Sequence, residues 1–274
     1  MNNGQPSLFL ITACYNAEAT IGDTLSSLAI QADQWEHYFV IDGVSTDNTL
    51  KHVNRFQDEY PDRMTVISEP DNGVYEAMNK GIARVFAMAA DDDLVALINA
   101  DDYYTPQALQ VIREVAGDHP DIDMFYGDIE MIDNEGQRTG TIQYASPELT
   151  KQSVSDGMPL NHPALFIRAK VYRSLGLFDE SYRIAADYEF VLRLFENGIS
   201  SLYIERPLVL FREGGISTTA IEASLQEAMR ARIEHGANPL TENMRYFRQK
   251  VNERVYGSLR YLSSVERRYQ SRHQ

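Results

Sequence analysis

The first hundred residues alternate between short apolar runs and stretches whose apolar residues recur at helical spacing. The apolar runs are Ser7–Thr12, His37–Asp42, Met64–Ser68 and Leu94–Asn99. Runs of this length, bounded by polar residues, are typical of buried parallel strands. Between the first two runs, Ile21, Leu25 and Leu28 lie on one face of a predicted helix. The alternation predicts an α/β fold, a doubly wound, mostly parallel sheet with helices on both faces.

The second half of the chain departs from this alternation. Ile129–Ile132 and Thr139–Gln143 flank the turn sequence Asp-Asn-Glu-Gly, which predicts a hairpin. Ala186–Asn197 has helical spacing, and the chain from about residue 220 is expected to be helical to its end. We therefore expect one α/β domain over residues 1–219 and a C-terminal helical extension over residues 220–274.

Three further segments carry local signals. Thr105 as N-cap and Pro106 as the first helical residue predict a helix that Gly117 ends. The polar stretch 145–160 predicts a mobile loop over a binding site. Strand character is expected to resume over Asn161–Ile167, and two short strands are expected near 201–204 and 208–211.

The charge of the chain is unevenly distributed. The formal net charge is −15, from 25 basic and 40 acidic residues. From residue 221 onward there are ten Lys/Arg and six Asp/Glu, so this part carries +4 and the remainder carries −19. The acidic body argues against nucleic acid as a partner. The basic C-terminal part suits either contact with an anionic membrane surface or a solvated helix face.

The sequence also bears on location. Its start has no basic, apolar leader pattern, and no apolar run reaches the length of a membrane span. The single cysteine, Cys14, excludes an internal disulfide and fits a reducing compartment. We therefore expect a cytoplasmic protein, with peripheral contact at the inner face of the cytoplasmic membrane as the alternative for its basic part.

Polar side chains follow the predicted strands at the points where they end. Tyr15 and Asn16 follow the first strand, Asp42 ends the second, and Asp101 and Asp102 follow the fourth. In open α/β sheets, ligands bind beyond the carboxyl ends of strands. Asp42 is placed to accept a hydrogen bond from a nucleotide base, and Tyr15 is placed to stack on that base. Helix capping is the alternative for Asp42.

The acidic pair after the fourth strand favours a site for a divalent metal and a diphosphate. Mg²⁺ or Mn²⁺ typically takes one or two carboxylates together with substrate phosphates. The chain has neither a GxGxxG nor a GxxxxGK[ST] loop, so a nucleotide diphosphate would depend on the metal. The alternative is that Asp101 and Asp102 only start a turn.

Taken in order, these stretches resemble the GT-A glycosyltransferases of family 2, from about residue 7 to residue 217. The resemblance lies in the stretches TACYN, VIDGVSTDNT, NADD and LGLFDESY followed by AADYEF. The stretch SEPDNGVYEAMNKG is similar to bacterial enzymes that build exopolysaccharide, colanic-acid-like polymers and O-antigen. Two positions depart from the family pattern: Asn99 stands for the first acid of the D-x-D motif, and Ala186 for the acid before the base.

The resemblance implies an inverting transfer of a sugar from a nucleotide-diphosphate sugar, with uridine diphosphate as the default nucleotide. Asp101 would bind Mn²⁺ or Mg²⁺, Asp187 would be the general base, and His162 would face the acceptor. The residues expected to bind the nucleotide sugar are Thr12, Tyr15, Asn16, Asp42, Asp71, Asn79, Lys80, Asn99 and Asp102. The acceptor would be lipid-linked or a saccharide, and the C-terminal helices would pack on the domain, pair with a second copy or contact the membrane.

Two other functions are compatible with parts of the pattern. A metal-dependent nucleotidyltransferase also uses carboxylates at strand ends, but the loop TACYNAEA after the first strand lacks the basic residues such enzymes carry. A non-catalytic nucleotide-sugar-binding subunit of a polysaccharide assembly complex would tolerate Asn99. The glycosyltransferase hypothesis requires that the three carboxylates Asp42, Asp101 and Asp187 converge on a single cleft.

Overall fold

The computed structural model describes residues 5–212, 214 and 220–251. Its strands are β1 (Leu8–Cys14), β2 (His37–Asp42), β3 (Met64–Ser68), β4 (Leu94–Leu97), β5 (Tyr103–Tyr104), β6 (Met124–Ile132), β7 (Arg138–Gln143), β8 (Leu165–Arg168) and β9 (Ser201–Arg212). Its helices are α1 (Ile21–Ala29), α2 (Thr49–Glu59), α3 (Val74–Val85), α4 (Ala108–Asp118), α5 (Lys151–Asp156), α6 (Ala169–Leu175), α7 (Ala186–Glu196) and α8 (Ile221–Glu234). A further helix covers residues 239–251.

The strands form one mixed sheet in the order β3-β2-β1-β4-β8-β6-β9-β5, with β7 paired to β6. The first four strands in this order are parallel, as the alternation of strands and helices predicts. Beyond β4 the pairing changes, since β8 runs antiparallel to both β4 and β6, whereas β9 is parallel to β6. The α/β fold is confirmed, and its second half is more antiparallel than the sequence predicts.

Helices cover both faces of the sheet, and β1 contributes alternate side chains to the two hydrophobic cores beneath them. Phe9 and Ile11 belong to the core that includes α3, α6 and α7. Leu8 and Leu10 belong to the core that includes α1, α2 and α4. All four side chains are at most 2% exposed. Burying such a side chain contributes about 1.5–3 kcal/mol, so this alternation fixes which face of each strand points to which layer.

Several element boundaries differ from the sequence predictions. The helix expected to start at Thr105 begins instead at Ala108, after Gln107 in a left-handed conformation (φ 66°). Thr105 does not cap it, because its hydroxyl donates to the carbonyl oxygen of Pro207 in β9 at 3.0 Å. Gly117 lies inside this helix and does not end it. The side-chain hydrogen bond to a distant strand outcompetes the local cap.

The middle of the chain is more regular than expected. The predicted segments around the hairpin and near residues 201–211 join into long strands, β6 and β9, which pair with each other over most of their lengths. The stretch 145–160 contains α5, whose N-cap Thr150 forms a capping box with Ser153. Asn161–Ile167 begins with a 3₁₀ turn over His162–Ala164 before β8.

The C-terminal helices pack on the α/β domain. Ala231 of α8 is fully buried in the core that includes α7. Arg232 forms a buried ion pair with Glu242 at 2.7 Å, which joins α8 to the helix 239–251. The expected division at residue 219 falls beside residues outside the described ranges. Within those ranges no helix is long and apolar enough to cross a membrane.

Candidate functional site

The carboxyl ends of β3, β2, β1 and β4 lie along one edge of the sheet. In the parallel register Asp42 pairs with Cys14 on one side and Ser68 on the other, and Leu97 of β4 pairs with Ile11. Because β8 is antiparallel to β4, it begins at this same edge. We call this the carboxyl edge, and Asp42 and the loops that carry Tyr15, Asn16, Asp71 and Asp101 lie at it or follow directly from it.

Asp42 is fully buried at the end of β2. Its carboxylate accepts hydrogen bonds from the Ser68 hydroxyl at 2.6 Å and the Ser45 backbone N–H at 3.1 Å. The Cys14 thiol lies 3.8 Å from it. Burial, followed by the charge of Asp42, raises the pKa of Cys14 to about 12. Asp42 therefore shapes the loop above β2, and its oxygens do not reach the surface where a base would bind.

The loops after β1 and β2 are tied to each other by short polar contacts. The Asn16 side-chain oxygen accepts from the Thr46 N–H at 2.9 Å, and the Ser45 hydroxyl accepts from the Asn16 N–H at 2.8 Å. Asn16 adopts a left-handed conformation (φ 49°). Tyr15 stands beside this junction with 63% of its surface exposed. The arrangement leaves an aromatic face free above the carboxyl edge.

Asp71, in the loop after β3, lies beside Gly43 and Tyr15 at the carboxyl edge. A Cβ on Gly43 would lie 2.6 Å from the Asp71 carboxylate and 3.5 Å from the Tyr15 ring, so the three residues are in close contact. The other carboxylate oxygen of Asp71 accepts from the Gly73 N–H at 2.9 Å. Tyr15, Gly43 and Asp71 thus form one wall of the carboxyl edge, which we call the aromatic wall.

Three residues expected to bind a nucleotide sugar have polar groups that bond within the protein. Thr12 is fully buried, and its hydroxyl donates to the Ile98 carbonyl oxygen at 2.9 Å. Asn79 is 6% exposed and donates to the Phe178 carbonyl oxygen at 2.9 Å. Lys80 donates to the Pro70 carbonyl oxygen. Lys80 also forms ion pairs with Glu69 and Glu76 at 3.1 and 3.0 Å. The hydroxyl, amide and ammonium groups that were expected to bind the nucleotide sugar therefore form hydrogen bonds within the protein.

The segment after β4 holds its acids in different ways. Asp102 is 1% exposed and accepts from the Arg212 backbone N–H at 2.9 Å and the Asn99 side chain at 2.8 Å. Burial, and then the charge of Asp101, raises the pKa of Asp102 to about 7. Asp102 and Asn99 are therefore engaged with each other and with β9, which leaves Asp101 as the acid of this segment that is open to a ligand.

Arg212, which the sequence did not single out, organises this segment from the end of β9. It is 6% exposed, and its guanidinium donates to the carbonyl oxygens of Asp101, Asp133 and Asn134. It also forms an ion pair with Asp23 of α1 at 2.7 Å. The side chain therefore ties the acidic segment to α1 and to the hairpin. Its partners are far apart in sequence, so no local pattern marks it.

Asp101 is the partly buried acid that the sequence assigns to a divalent cation. Burial raises the pKa of its carboxyl above the usual range, and its own backbone N–H and the charge of Arg212 act in the opposite direction. A nearby cation stabilises the charged form of such a carboxylate. Among the described residues, no three His, Cys, Asp or Glu side chains are grouped closely enough to hold a metal. A cation here would take the rest of its ligands from substrate phosphates and water.

Asp187 lies in the first turn of α7, and its carboxylate contacts α3 through Tyr75. The Tyr75 hydroxyl of α3 lies 2.6 Å from the Ile184 carbonyl oxygen and 3.2 Å from the Asp187 carboxylate, so its proton is shared between them. The Tyr188 N–H donates to the same carboxylate oxygen of Asp187 at 2.9 Å. These two donors hold the Asp187 carboxylate at the start of α7.

His162 is near Asp187. Burial lowers the pKa of His162, and the negative charge of Asp187 partly opposes this shift. The ring packs edge-on against Phe178, with 5.9 Å between the ring centroids. His162 is thus close enough to Asp187 for the charge of that carboxylate to affect it, and it lies in the 3₁₀ turn that leads into β8.

A cavity of about 240 Å³ opens at the start of α3. It is lined by Asn72, Gly73, Val74, Tyr75, Glu76, Glu180, Tyr182 and Arg183. Tyr75 is common to the cavity and to the hydrogen bonds around Asp187. A larger cavity of about 390 Å³ lies between α5 and the helix 239–251, and its lining includes none of the residues that the sequence assigned to the site.

Comparison with known proteins identifies this arrangement. The family model described as "Glycosyl transferase family 2" matches residues 9–176. A "PGL/p-HBAD biosynthesis glycosyltransferase" of Mycobacterium bovis is 28% identical over 79% of this chain and 81% of its own length. The "Putative glycosyltransferase EpsE" of Bacillus subtilis is 27% identical over 78% of this chain and 75% of its length. The "O-antigen biosynthesis protein RfbC" of Myxococcus xanthus is 26% identical over 88% of this chain, but over only 18% of its own length.

Solved structures share the fold. Staphylococcus aureus TarS 1-349 in complex with UDP-GlcNAc superposes with a TM-score of 0.62 at 18% identity, over 86% of this chain and 69% of that chain. The mannosyltransferase PcManGT from Pyrobaculum calidifontis, in complex with GDP-Man and Mn²⁺, superposes with a TM-score of 0.59 at 17% identity, over 86% and 67%. At these identities the likeness establishes the architecture.

The lowered pKa of His162 predicts a pH dependence of stability. Since the unfolded chain binds this proton more readily than the folded one, protonation below the ordinary value of 6.5 favours unfolding. The free energy of unfolding in urea should therefore fall from pH 7 to pH 5, and fall less steeply in His162→Gln. Equal slopes for the two proteins, each shown to be folded at pH 8, would contradict a neutral His162 in the folded state.

Proposed function

Because the chain belongs to glycosyltransferase family 2, we propose that it moves a sugar from a nucleotide-diphosphate sugar to a hydroxyl of a lipid-linked or saccharide acceptor in bacterial surface polysaccharide synthesis. Family membership and the named relatives establish a glycosyltransferase. The observation that carries the finer proposal is the Asp187 carboxylate at the start of α7, hydrogen-bonded to the Tyr75 hydroxyl. In this proposal the base, the acid for the metal and the exposed Tyr15 ring all act on one bound donor.

The aromatic wall is the proposed site of the nucleotide base. Tyr15 offers an exposed ring for stacking, and the Asp71 carboxylate beside it offers an acceptor for a base or ribose hydroxyl. Asn16 and Asp42 hold the loops that form this wall rather than contacting the base. Uridine diphosphate is the expected nucleotide, and TarS, which shares the fold, was solved with UDP-GlcNAc.

Asp101 is the proposed protein ligand of Mn²⁺ or Mg²⁺, and PcManGT, which shares the fold, was solved with Mn²⁺. When bound, the cation would neutralise charge on the departing diphosphate. Asn99 and Asp102 support Asp101 indirectly, because they bind each other and the backbone of Arg212. The Asn at the first position of the motif thus acts as a hydrogen-bond donor within the segment.

Asp187 is the proposed general base. As the acceptor oxygen forms its bond to the anomeric carbon, the bond from that carbon to the diphosphate oxygen breaks, and the hydroxyl proton passes to Asp187. This single displacement inverts the anomeric configuration. The Tyr75 hydroxyl holds the carboxylate in its orientation. His162, which lies near Asp187, is the residue proposed to face the acceptor. Its ring also packs edge-on against Phe178.

The non-catalytic alternative differs from this proposal in one respect. A binding subunit would keep the aromatic wall and Asp101 but would not need an oriented Asp187. The hydrogen bonds from Tyr75 and Tyr188 to that carboxylate favour the enzyme. The nucleotidyltransferase alternative has no support from the loop after β1, which is occupied by Asn16 and its partners in the loop after β2.

The helix 239–251 is the surface we propose for peripheral membrane contact. Its exposed apolar residues are Leu240, Met244, Phe247 and Val251, which are 76%, 66%, 68% and 43% exposed. Steps of four, three and four residues place them on one face of the helix. The net charge of +4 from residue 221 onward complements an anionic lipid surface. Localisation at the inner face of the cytoplasmic membrane rests on this surface, and pairing with a second copy is the alternative outcome.

The catalytic assignment predicts two separable losses. Asp187→Asn should lower the transfer rate by about 10²–10⁴-fold, because the acceptor proton loses its base, while nucleotide binding is retained. In Asp101→Ala, addition of Mn²⁺ should no longer increase the affinity for the nucleotide. Calorimetric titrations with UDP, GDP and dTDP, with and without Mn²⁺, combined with a transfer assay, measure both effects. The exposed Asp118→Asn at the end of α4 is the control. Transfer at the wild-type rate by Asp187→Asn would exclude Asp187 as the base.

The aromatic wall predicts a substitution that affects binding more than stability. In Gly43→Ala the new Cβ would lie 2.6 Å from the Asp71 carboxylate, so that side chain must move. We expect nucleotide affinity to fall about 10-fold, equivalent to about 1.4 kcal/mol, with a small change in melting temperature. Gly22→Ala in α1 is the matched control, since nothing lies within 4 Å of its Cβ. Unchanged affinity in Gly43→Ala would place the base elsewhere.

The membrane surface predicts that one exposed leucine affects vesicle binding. Leu240→Gln should weaken sedimentation with phosphatidylglycerol-containing vesicles about 10-fold, because a buried apolar side chain is lost from the interface. Ile30→Gln is the control, since Ile30 is 77% exposed and Leu240 is 76% exposed. Equal binding by the two variants would contradict membrane contact. A wild-type dimer in size-exclusion chromatography that Leu240→Gln dissociates would assign the surface to a second copy.

A further inference from the structure

Glu227 of α8 binds the backbone of the segment that leads into the proposed base. One of its carboxylate oxygens accepts from the Arg183 N–H at 2.9 Å. The other accepts from the Ile184 N–H at 2.8 Å and the Ala185 N–H at 2.9 Å. A single carboxylate therefore receives three consecutive backbone donors. Hydrogen bonds to a charged acceptor are about twice as strong as neutral ones.

This segment has no cap of its own. Ala185 is the N-cap of α7, and it has no polar side chain to accept the N–H groups at the helix start. Glu227, from another helix, accepts instead from the N-cap residue itself and the two residues before it, just ahead of the first turn that contains Asp187. The negative charge also complements the positive end of the α7 dipole.

The same peptide is held from its other side by the residue that contacts the base. The Ile184 N–H donates to Glu227, and the Ile184 carbonyl oxygen accepts from Tyr75 at 2.6 Å. The Tyr75 hydroxyl also lies 3.2 Å from the Asp187 carboxylate. Glu227, Ile184, Tyr75 and Asp187 thus form a continuous hydrogen-bonded chain from the C-terminal helix to the proposed reaction centre.

Other contacts fix α8 against this segment, so that Glu227 is held in place. The Tyr182 hydroxyl donates to Glu234 at 2.5 Å, and the Arg230 guanidinium lies 4.2 Å from the centre of the Tyr182 ring. Arg230 also donates to the Ser181 hydroxyl at 2.8 Å. The segment before α7 therefore follows the position of α8 as one unit.

We propose that Glu227 is a positioning residue for Asp187, and that α8 is thereby part of the catalytic unit. The proposal rests on the role of Asp187 in the proposed function. The matched family region ends at residue 176, before both Asp187 and Glu227. In this proposal Glu227 acts by fixing the peptide that sets the direction of the base.

The test replaces the carboxylate while keeping its size. Glu227→Gln retains one acceptor oxygen but turns an amide N–H₂ group toward backbone donors. Glu222→Gln is the control, because Glu222 lies on the same helix and its carboxylate contacts Lys250 and Tyr246 instead. Hydrogen exchange by mass spectrometry is read on peptides covering residues 181–190. Transfer is measured with whichever nucleotide sugar the calorimetric titrations select.

We expect Glu227→Gln to speed exchange over residues 181–190 and to lower kcat roughly 10- to 100-fold with the donor KM unchanged, as a small misplacement of a catalytic group does. In the Asp187→Asn background the same substitution should cost no further activity, because the two residues act through one group. Glu222→Gln should change neither quantity.

Each contrary result has one meaning. Unchanged exchange in Glu227→Gln would overturn the claim that the carboxylate holds the segment. Faster exchange with wild-type kcat, or full additivity with Asp187→Asn, would overturn the positioning role. A wild-type protein that transfers from no sugar nucleotide would instead overturn the proposed function, and the exchange measurement would still test the contact itself.

Discussion

The parallel pairing of β1 with β2 on one side and β4 on the other is the constraint from which the site follows. It brings the carboxyl ends of three strands to the same edge of the sheet, so that the loops leaving them lie along that edge. The loops are then joined by a few polar contacts, such as those between Asn16 and Thr46. The aromatic wall and the acidic segment need no dedicated scaffold, because the register of a buried sheet already aligns them.

The first half of the fold was predictable because its information is local. The alternation of apolar residues in β1 to β4 reports burial on both faces, and a helix must cross between parallel strands. The second half was less predictable, since β6 and β9 pair with each other over a separation of more than seventy residues. The start of α4 was missed for a similar reason, as Thr105 bonds to a strand that comes a hundred residues later.

The site shows the same division between local and long-range information. A polar residue at a strand end has the same sequence signal whether it faces a ligand or completes the fold. Asp42, Asn79 and Asp102 were all expected to contact the nucleotide sugar, yet each spends its hydrogen bonds inside the protein. Arg212 and Glu227 were missed, because their partners become neighbours only after folding. Buried polar groups of this kind must be paired, and a group that is paired within the protein is not available to a ligand.

The environment of Cys14 has a practical consequence for work on this enzyme. It is the only cysteine in the sequence, it is 6% exposed, and the combination of burial and the charge of Asp42 keeps its sulfur protonated at neutral pH. Maleimides react with the thiolate form of cysteine, so we expect the native chain to react with them very slowly. A second cysteine introduced at any exposed position would therefore carry a fluorophore or spin label at a single defined place, without removal of the native one.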